Sequence, residues 1–410
     1  MAEPACRSCA APLRHTFVDL GTSPLANSFL TEGQLHEGEL FLPLHAFVCE
    51  RCFLVQLEEY ETPAGIFSDY VYFSSVSESW VQHARTYVEG VIPRLGLGAD
   101  SSVVEIASND GYLLQWFVEA GVPVLGIEPA ANVAVVAEEK SIPSLVEFFG
   151  SELATRLAAA RERPDLIIGN NVLAHTPELN DFVEGLRILL APGGTITMEF
   201  PHLLRLIQET QFDTIYHEHF SYLSLVSVER FFGEHGLRLY DVEELRSHGG
   251  SLRIYACHED SSFEASEQLV ELRAREDAAG LRELDTYTSF GTRVRVLKRE
   301  LLEFLLQAKR DGMVVVGYGA AAKGVTMVNY CGVRSDLLAY VADLSEHKQG
   351  LYMPGSRIPV VPPAQVDATR PDYVLILAWN LKDEIMRQLA HVSDYGTRFV
   401  TPVPHVEVHP

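Results

Sequence analysis

The sequence predicts an α/β protein made of a small cysteine-rich module and two domains of alternating strands and helices. Three observations support this prediction. Two Cys-x-x-Cys pairs lie near the N-terminus, short apolar runs alternate with helical patterns over 98–205, and the same alternation returns over 306–410. A chain of 410 residues has room for two or three domains.

We therefore expect four segments in the order of the chain. They are a metal-binding module at 1–65, a ligand-binding domain at 66–205 with its core at about 98–205, an active-site strand region with a helical linker at 206–305, and a C-terminal domain at 306–410. The linker prediction rests on 261–303, which is charged and mostly periodic at helical spacing.

The composition of the chain limits the kinds of molecule that the protein is expected to bind. The chain is 47% hydrophobic and 21% charged, which is ample for packed cores, and its formal net charge is -24. Such a charge disfavours nucleic acid, because phosphate neutralisation needs clustered Lys and Arg. The N-terminus lacks the basic and apolar regions of a secretory signal, and no apolar run reaches the ~20 residues of a membrane span. We expect a cytoplasmic protein without membrane contact or an obligatory protein partner.

The first module carries a candidate zinc site. Cys6 and Cys9 form one pair, Cys49 and Cys52 form the other, and 39 residues separate the pairs. Four thiolates in two such pairs are typical of tetrahedral Zn²⁺, although the spacer is long for a zinc ribbon. A complete thiolate set leaves no open coordination position, so we interpret the zinc as structural. The alternative is two unligated pairs.

Strands and helices alternate through the second segment in the manner of a parallel, Rossmann-like sheet. The predicted strands are 101–107, 122–128, 165–169 and 195–200. Glu105 lies near the end of the first strand, Asn109-Asp110-Gly111 form the following turn, and Glu128 ends the second strand. Ligands of such domains bind at the carboxyl ends of the strands, where Glu128 is placed to accept hydrogen bonds from both hydroxyls of a ribose.

The turn at 109–111 lacks a full Gly-x-Gly-x-x-Gly pattern. A pyrophosphate cradle is therefore disfavoured, and a nucleoside without pyrophosphate fits better, which favours S-adenosylmethionine over NAD. Asn170 and Asn171 follow the third strand and add polar groups at the same edge, where ligand contact would satisfy them. The alternative is a turn that holds no ligand.

A second glycine turn opens the C-terminal domain. Gly317-x-Gly319-x-x-Ala322, with Asp343 after the following strand, fits a dinucleotide fingerprint, and its literal interpretation is NAD. Lys323 adds a positive charge just inside the helix, suited to a phosphate group. The turn could equally bind the diphosphate of a nucleotide-linked substrate. A methyl-donor site and a phosphate-binding turn in one chain suggest methylation of a nucleotide sugar.

Residues 216–220, Tyr-His-Glu-His-Phe, form the densest cluster of reactive side chains. The cluster could be a metal site, an acid/base centre or a buried polar cluster with a structural role. In a strand, Tyr216, Glu218 and Phe220 would share one face, and His217 and His219 the other. A metal is disfavoured because His-Glu-His lacks the His-Glu-x-x-His spacing that places both imidazoles on one helix face. His202, nearby, is interpreted as structural.

Six motifs together support a family resemblance. They are Cys6-x-x-Cys9 with Cys49-x-x-Cys52, VEIASNDGYLL at 104–114, IEP at 127–129, NNVLAH at 170–175, YHEHFSYLS at 216–224 and GYGAAAKG at 317–324. Their ordered combination resembles the sugar C-methyltransferases of antibiotic deoxysugar pathways over essentially the whole chain. It is most similar to members that methylate C-3 of dTDP-3-amino-2,3,6-trideoxy-4-keto-D-glucose on the route to D-tetronitrose. Relatives that act on other dTDP-4-keto sugars share the same motifs.

The resemblance implies a zinc module, a central class I methyltransferase domain that binds S-adenosylmethionine, and a C-terminal Rossmann-like domain without NAD. The implied contacts to the methyl donor are Glu105, Ala107, Asn109, Asp110, Gly111, Glu128, Pro129, Asn171 and Tyr72. The implied contacts to the dTDP-linked keto-sugar, the small-molecule partner, are Gly317, Gly319, Lys323 and Asn329.

The resemblance also implies catalytic roles. The 4-keto group acidifies the C-3 proton, so a base can generate an enolate that accepts the methyl group. His219 is expected to be the base, Glu218 to orient an imidazole, and Tyr216 to donate to the enolate oxygen. His175 is a second candidate for base or donor, and Tyr70 belongs with Tyr72 to a loop over the reacting centre. The competing functions are an NAD-dependent nucleotide-sugar oxidoreductase and a zinc-containing assembly protein with degenerate nucleotide folds.

Overall fold

The computed structural model describes residues 3–62, 65, 73–160 and 163–410. Two predicted site residues, Tyr70 and Tyr72, lie outside the described residues. The described chain forms three sheets connected by helices. None of the helices within these ranges combines the length and the apolar composition that crossing a bilayer requires.

The N-terminal module is a four-stranded antiparallel sheet whose last strand comes from the middle of the chain. Its strands run in the order β1 (His15–Ser23), β2 (Leu42–Val48), β3 (Val55–Leu57) and β9 (Ser221–Tyr222). One cysteine pair precedes β1 and the other lies between β2 and β3. Because β9 follows the reactive cluster directly, the pairing of β3 with β9 holds that cluster against the module.

The central sheet has seven strands. They are β4 (Val103–Ile106), β5 (Val124–Ile127), β6 (Ser144–Leu145), β7 (Leu166–Asn170), β8 (Thr195–Pro201), β10 (Leu237–Leu245) and β11 (Ser251–His258). Their order is β6-β5-β4-β7-β8-β11-β10. The first five are mutually parallel, whereas β11 runs antiparallel to both β8 and β10. The apolar runs of β4 and β7 are buried, as expected of central parallel strands.

The sheet continues beyond residue 205, where we expected the domain to end. The hairpin of β10 and β11 extends it to His258, and β11 pairs with β8 from Ser251 opposite Pro201 to Ala256 opposite Ile196. Sequence periodicity detects each strand but carries no record of this long-range pairing. The hairpin of β10 and β11, at 237–258, is therefore part of the central sheet, whereas β9 pairs with the N-terminal module.

Helices cover the sheet and connect it onward. The helices of the central part are α1 (Glu78–Leu95), α2 (Leu114–Glu119), α3 (Ala131–Glu139), α4 (Ser151–Ala160), α5 (Leu179–Leu189), α6 (Leu203–Glu209) and α7 (Leu225–Glu234). The connection contains α8 (Glu267–Ala278), α9 (Leu284–Thr288) and α10 (Phe290–Arg310). Phe290, at the start of α10, stacks on Phe17 of β1 with ring centroids 4.4 Å apart, so the connection also packs on the N-terminal module.

The C-terminal domain has a six-stranded sheet. Its strands are β12 (Val315–Tyr318), β13 (Val341–Ala342), β14 (Val360–Val361), β15 (Tyr373–Ile376), β16 (Arg398–Thr401) and β17 (Glu407–His409), in the order β14-β13-β12-β15-β16-β17. All are parallel except β17. The helices are α11 (Ala322–Cys331), α12 (Ala364–Thr369) and α13 (Lys382–Gln388). The predicted glycine turn joins β12 to α11, as a nucleotide-binding fold requires.

Candidate functional site

The four paired cysteines converge on one point. Their sulfur atoms all lie within 4.8 Å of one another, and the Sγ atoms of Cys6 and Cys52 are 3.5 Å apart, as are those of Cys9 and Cys49. These distances exceed the ~2.05 Å of a disulfide and suit sulfurs that each bind a central Zn²⁺ at about 2.3 Å. The donor set therefore fits structural zinc.

One large cavity, with a volume of about 1290 Å³, lies between the N-terminal module, the central sheet and the C-terminal domain. Predicted site residues from each part line it: Ala107, Asn109, Glu128, Pro129, Asn171, His175, Tyr216, Glu218, His219 and Lys323. The cavity therefore joins the candidate methyl-donor site, the reactive cluster and the C-terminal turn in a single space.

Glu128 dominates the end of the cavity nearest the central sheet. Its two carboxylate oxygens accept hydrogen bonds from the backbone N–H groups of Asn109 and Ala130, each at 2.9 Å. These bonds fix the carboxylate at the cavity wall, and burial raises its pKa. Ala107 and Asn171 also line this end, in the left-handed backbone conformation with φ of 55° and 54°. Such strain in non-glycine residues is characteristic of functional sites.

Glu105, Asp110 and Gly111 support the turn from behind and do not line the cavity. Asp110 accepts hydrogen bonds from the backbone and hydroxyl of Ser75 and lies 3.7 Å from the ammonium of Lys140. Gly111 has a φ of 74°, which favours glycine, and a Cβ there would also meet the end of the Ile142 side chain at 2.3 Å. Burial, followed by the neighbouring carboxylates, raises the pKa of Glu105 well above its usual range. Their predicted contact with the methyl donor has no support from their position.

The reactive cluster forms a turn rather than a strand. It follows a short 3₁₀ segment, and the backbone N–H of His219 donates to the carbonyl of Tyr216 at 2.9 Å. Tyr216, Glu218 and His219 consequently line the cavity together, whereas His217 donates from Nε2 to the Pro43 carbonyl. The alternation of faces that a strand would impose is therefore wrong here.

Two neutral imidazoles meet at the cavity wall. His219 donates from Nδ1 to the Thr214 carbonyl at 3.0 Å, and His175 donates from Nδ1 to the Glu218 carbonyl at 2.7 Å. Since a carbonyl only accepts, each neutral ring keeps its acceptor lone pair on Nε2. The ring centroids are 4.7 Å apart, and Tyr216 lies 4.0 Å from His219. Burial lowers the pKa of His219 well below its usual value and that of His175 to about 4, so both are neutral near pH 7.

The N-terminal module contributes a side chain to this cluster. Asn27 donates from Nδ2 to Oε1 of Glu218 at 2.6 Å, and both residues line the cavity. Burial raises the pKa of Glu218. Among the described residues, the four cysteines form a group of potential metal ligands whose ligand atoms converge.

Lys323 is the predicted sugar-nucleotide residue that reaches the cavity. Its ammonium donates to Asn380 Oδ1 at 2.7 Å and lies 4.6 Å from the centre of the Trp379 ring. Burial lowers its pKa to about 8. Ala321, Ala322 and Lys348 line the wall beside it.

The other three predicted sugar-nucleotide residues do not line the cavity. A Cβ on Gly317 would meet Val341 at 2.9 Å, and one on Gly319 would meet Ala378 at 2.8 Å, so both glycines serve close packing of β12 and the turn. Asn329, near the far end of α11, donates to the carbonyls of Val325 and Pro354. Direct contact of these residues with a ligand has no support from their position.

Sequence reasoning missed His248. This residue lines the cavity in the left-handed conformation, with φ of 54°, and accepts a hydrogen bond on Nε2 from Asn171 Nδ2 at 3.2 Å. The His248-Gly249-Gly250 sequence was the available signal, since two glycines beside a histidine favour an unusual turn. His202, by contrast, is paired with buried Glu276 at 2.6 Å, which agrees with its structural interpretation.

Three family models match successive parts of the chain. Residues 6–67 match a family described as "Putative zinc binding domain", residues 80–242 match "Methyltransferase domain", and residues 246–404 match "C-methyltransferase C-terminal domain". The C-methyltransferase NovU of Streptomyces niveus is 37% identical over 407 residues, which cover 98% of this chain and 96% of that protein.

Solved structures of methyltransferases are similar to part of the chain. Magnesium protoporphyrin IX methyltransferase of Synechocystis PCC 6803, with bound SAH, is 14% identical, with a TM-score of 0.34 over 43% of this chain and 81% of that chain. A S-adenosylmethionine-dependent methyltransferase of Clostridium acetobutylicum is 9% identical, with a TM-score of 0.35 over 43% and 91%. The family models, the curated relative, the sheets and the cysteine site confirm the predicted fold class, with S-adenosylmethionine and zinc as its cofactors.

Proposed function

The chain belongs to the C-methyltransferase family that includes NovU, and from this premise we propose that it methylates C-3 of a dTDP-4-keto-deoxysugar, with a 3-amino sugar favoured. The supporting observation is the shared cavity. It is lined by Glu128 at the central sheet, by two neutral imidazoles in the middle and by Lys323 on the C-terminal side. A methyl donor, a base and a cation for a nucleotide diphosphate are what this reaction requires.

The proposed reaction begins with proton removal. Nε2 of His219 takes the C-3 proton, and the electrons of the C–H bond move to form an enolate whose charge rests on the C-4 oxygen. Tyr216, beside His219, donates a hydrogen bond to that oxygen. Bound S-adenosylmethionine supplies an electrophilic methyl group on its sulfonium, which C-3 attacks in line. The products are the C-methylated sugar, S-adenosylhomocysteine and a protonated His219.

Both histidines have a proton-accepting Nε2, so their roles need a direct test. His219 is assigned the base because Tyr216 packs against it, which places an oxyanion donor next to the base. His175 is assigned to a supporting position, since its Nδ1 proton holds the Glu218 carbonyl and thereby the cluster. Glu218 is held in turn by Asn27.

Proton exchange separates these roles. We expect the wild-type enzyme to exchange the C-3 proton of a dTDP-4-keto sugar in heavy water when S-adenosylhomocysteine is present. His219→Asn should lower the exchange rate by about 10²- to 10⁴-fold and leave donor affinity unchanged. His217→Asn is the matched control, because His217 neighbours the base in sequence and lies outside the cavity lining. Wild-type exchange in His219→Asn would transfer the role to His175.

The substrate is tested by a binding panel of dTDP-4-keto sugars that differ at C-3, with S-adenosylhomocysteine present. We expect the 3-amino sugar to bind most tightly, and preference for another member would correct the substrate within the same reaction. An NAD-dependent oxidoreductase is the competing function, and stabilisation by NAD(H) without S-adenosylmethionine binding would favour it. We place the reaction in the cytoplasm.

A further inference from the structure

Arg7 links the zinc site to the catalytic cluster. It lies directly after Cys6, the first of the four zinc-site cysteines, and its side chain reaches two backbone carbonyls. Nη1 donates to the Pro177 carbonyl at 3.0 Å, and Nη2 donates to the Leu57 carbonyl. One guanidinium thus binds two backbone segments that are far apart in sequence, which its planar fork of donors suits.

Each of these segments leads to one of the two histidines. Pro177 lies two residues after His175. Leu57, in β3, donates its own N–H to the Phe220 carbonyl at 3.0 Å, and Phe220 directly follows His219. The guanidinium carbon of Arg7 also lies 5.5 Å from the centre of the Phe220 ring. Arg7 therefore contacts the chain beside both imidazoles.

The backbone of Arg7 is itself fixed. Its N–H donates to Gln56 Oε1 at 2.9 Å, and Gln56 donates from Nε2 to the sulfur of Cys6 at 3.2 Å. Asn180 donates to the Arg7 carbonyl at 3.1 Å. The backbone turn that begins with Cys6 is thus held rigidly by these hydrogen bonds. Zinc bound to the four cysteines would fix it further.

We propose that Arg7 is a positioning residue through which the turn that begins with Cys6 sets the relative placement of His175 and His219. The two rings lie 4.7 Å apart, so a small shift of either backbone segment would change where each Nε2 points. Such a shift is expected to lower the rate of the reaction by about 10- to 100-fold. The inference rests on the proposed function for the identity of the reaction, whereas the placement of the rings can be measured without substrate.

The test uses the full-length, zinc-loaded enzyme carrying Arg7→Met, which keeps an unbranched apolar side chain and removes the guanidinium donors. Arg14→Ala is the matched control, since Arg14 lies in the same module and forms an exposed pair with Glu3. We would measure the zinc content, the ¹⁵N resonances of the histidine rings without substrate, S-adenosylhomocysteine affinity, and kcat and KM. His391, paired with Asp367 in the C-terminal domain, serves as the internal reference.

We expect Arg7→Met to bind one zinc, to shift the resonances of His175 and His219, and to leave that of His391 unchanged. kcat should fall about 10- to 100-fold while S-adenosylhomocysteine affinity stays as in the wild type. Arg7→Lys retains the charge but not the fork, and should shift the same two resonances by less. Arg14→Ala should behave as the wild type.

Unchanged His175 and His219 resonances in zinc-loaded Arg7→Met would overturn the proposal. If Arg7→Met loses zinc or unfolds, Arg7→Lys decides by the same two resonances. Loss of zinc in both variants would assign Arg7 to metal retention and would also overturn the proposal. If wild-type enzyme methylates none of the sugars, the proposed function fails, but the resonances still decide the role of Arg7.

Discussion

The central and C-terminal domains carry similar turns after their first strands, but the acids that accompany these turns lie differently relative to the cavity. In each, a turn follows the first strand, and an acid follows the second strand and accepts two backbone N–H bonds. Glu128 accepts them from Asn109 and Ala130, and Asp343 accepts them from Ala320 and Ser345. Glu128 lines the cavity, whereas Asp343 is not among the described lining residues.

This difference shows that a nucleotide-binding fingerprint predicts the backbone conformation of a turn. It does not by itself predict that the turn binds a nucleotide. The glycines of both turns face neighbouring protein, because a Cβ on Gly111 would meet Ile142 and one on Gly319 would meet Ala378. What distinguishes the turns is the set of polar side chains at the cavity wall. On the C-terminal side these include two cations, Lys323 and Lys348, together with Asn380 and Glu384, and the two ammonium groups suit an anionic ligand.

The largest effect is expected from isosteric changes at the two acids. Glu128→Gln should weaken S-adenosylmethionine binding by about 10- to 100-fold, because the change removes the charge of a carboxylate that we expect to accept hydrogen bonds from ribose hydroxyls. Asp343→Asn is the matched change and should leave that affinity unaltered while lowering the free energy of unfolding by about 1–3 kcal/mol. Calorimetry measures the first quantity and denaturant unfolding the second. Equal losses of affinity would remove the distinction between the domains.

A smaller effect is expected at the C-terminal cation. Lys323→Met should raise KM for the sugar nucleotide by about 10-fold and leave the affinity for S-adenosylmethionine as in the wild type, since it removes one charge-assisted contact. Lys382→Met is the control, since it changes a lysine of the same domain that does not line the cavity. Weakened S-adenosylmethionine binding in Lys323→Met would instead assign this lysine to the methyl donor.

The same lysine predicts a pH dependence. Burial lowers the pKa of Lys323 to about 8, while Asp213 opposes that shift, so the free enzyme carries the positive charge below that pH. Affinity for an anionic sugar nucleotide should therefore be constant below pH 8. Above it, affinity should decrease by up to about tenfold per pH unit, until the higher pKa of the bound lysine is reached. Lys323→Met should abolish this slope, and its persistence would point to another group.

For the addition of NAD(H) we expect no effect on stability. NAD(H) should leave the melting temperature unchanged, because a ligand stabilises a protein only through its affinity for the folded state. S-adenosylhomocysteine, measured in parallel, should raise it. A rise with NAD(H) that Asp343→Asn abolishes would restore a dinucleotide site to the C-terminal domain.

Local patterns predicted much of this molecule. The cysteine spacing identified the residues that meet at the zinc site, and strand–helix alternation with the motifs identified the fold class and the methyltransferase family. Such signals are short-range and repeat within a few residues. The polar cluster at 216–220 was also recognisable, because so many reactive groups stand together.

Features that depend on contacts between distant segments were not predicted. Nothing in 237–258 reveals that its hairpin joins the central sheet, and nothing in 216–220 reveals that the segment turns before β9 pairs with β3. The hydrogen bond from Asn27 to Glu218 was also not predicted, because the two residues are 191 positions apart in the sequence. His248 was overlooked because its signal, a histidine followed by two glycines, is local and not periodic.

The pairing of β3 with β9 has a consequence for synthesis of the chain. The N-terminal module is translated first, yet its sheet lacks the outer strand until Ser221 and Tyr222 have left the ribosome. Until then β3 presents an open edge, which is a template for unwanted pairing. The segment that closes this edge directly follows the reactive cluster at 216–220, so completion of the first-made sheet and placement of that cluster are one event, about midway through translation of the 410 residues.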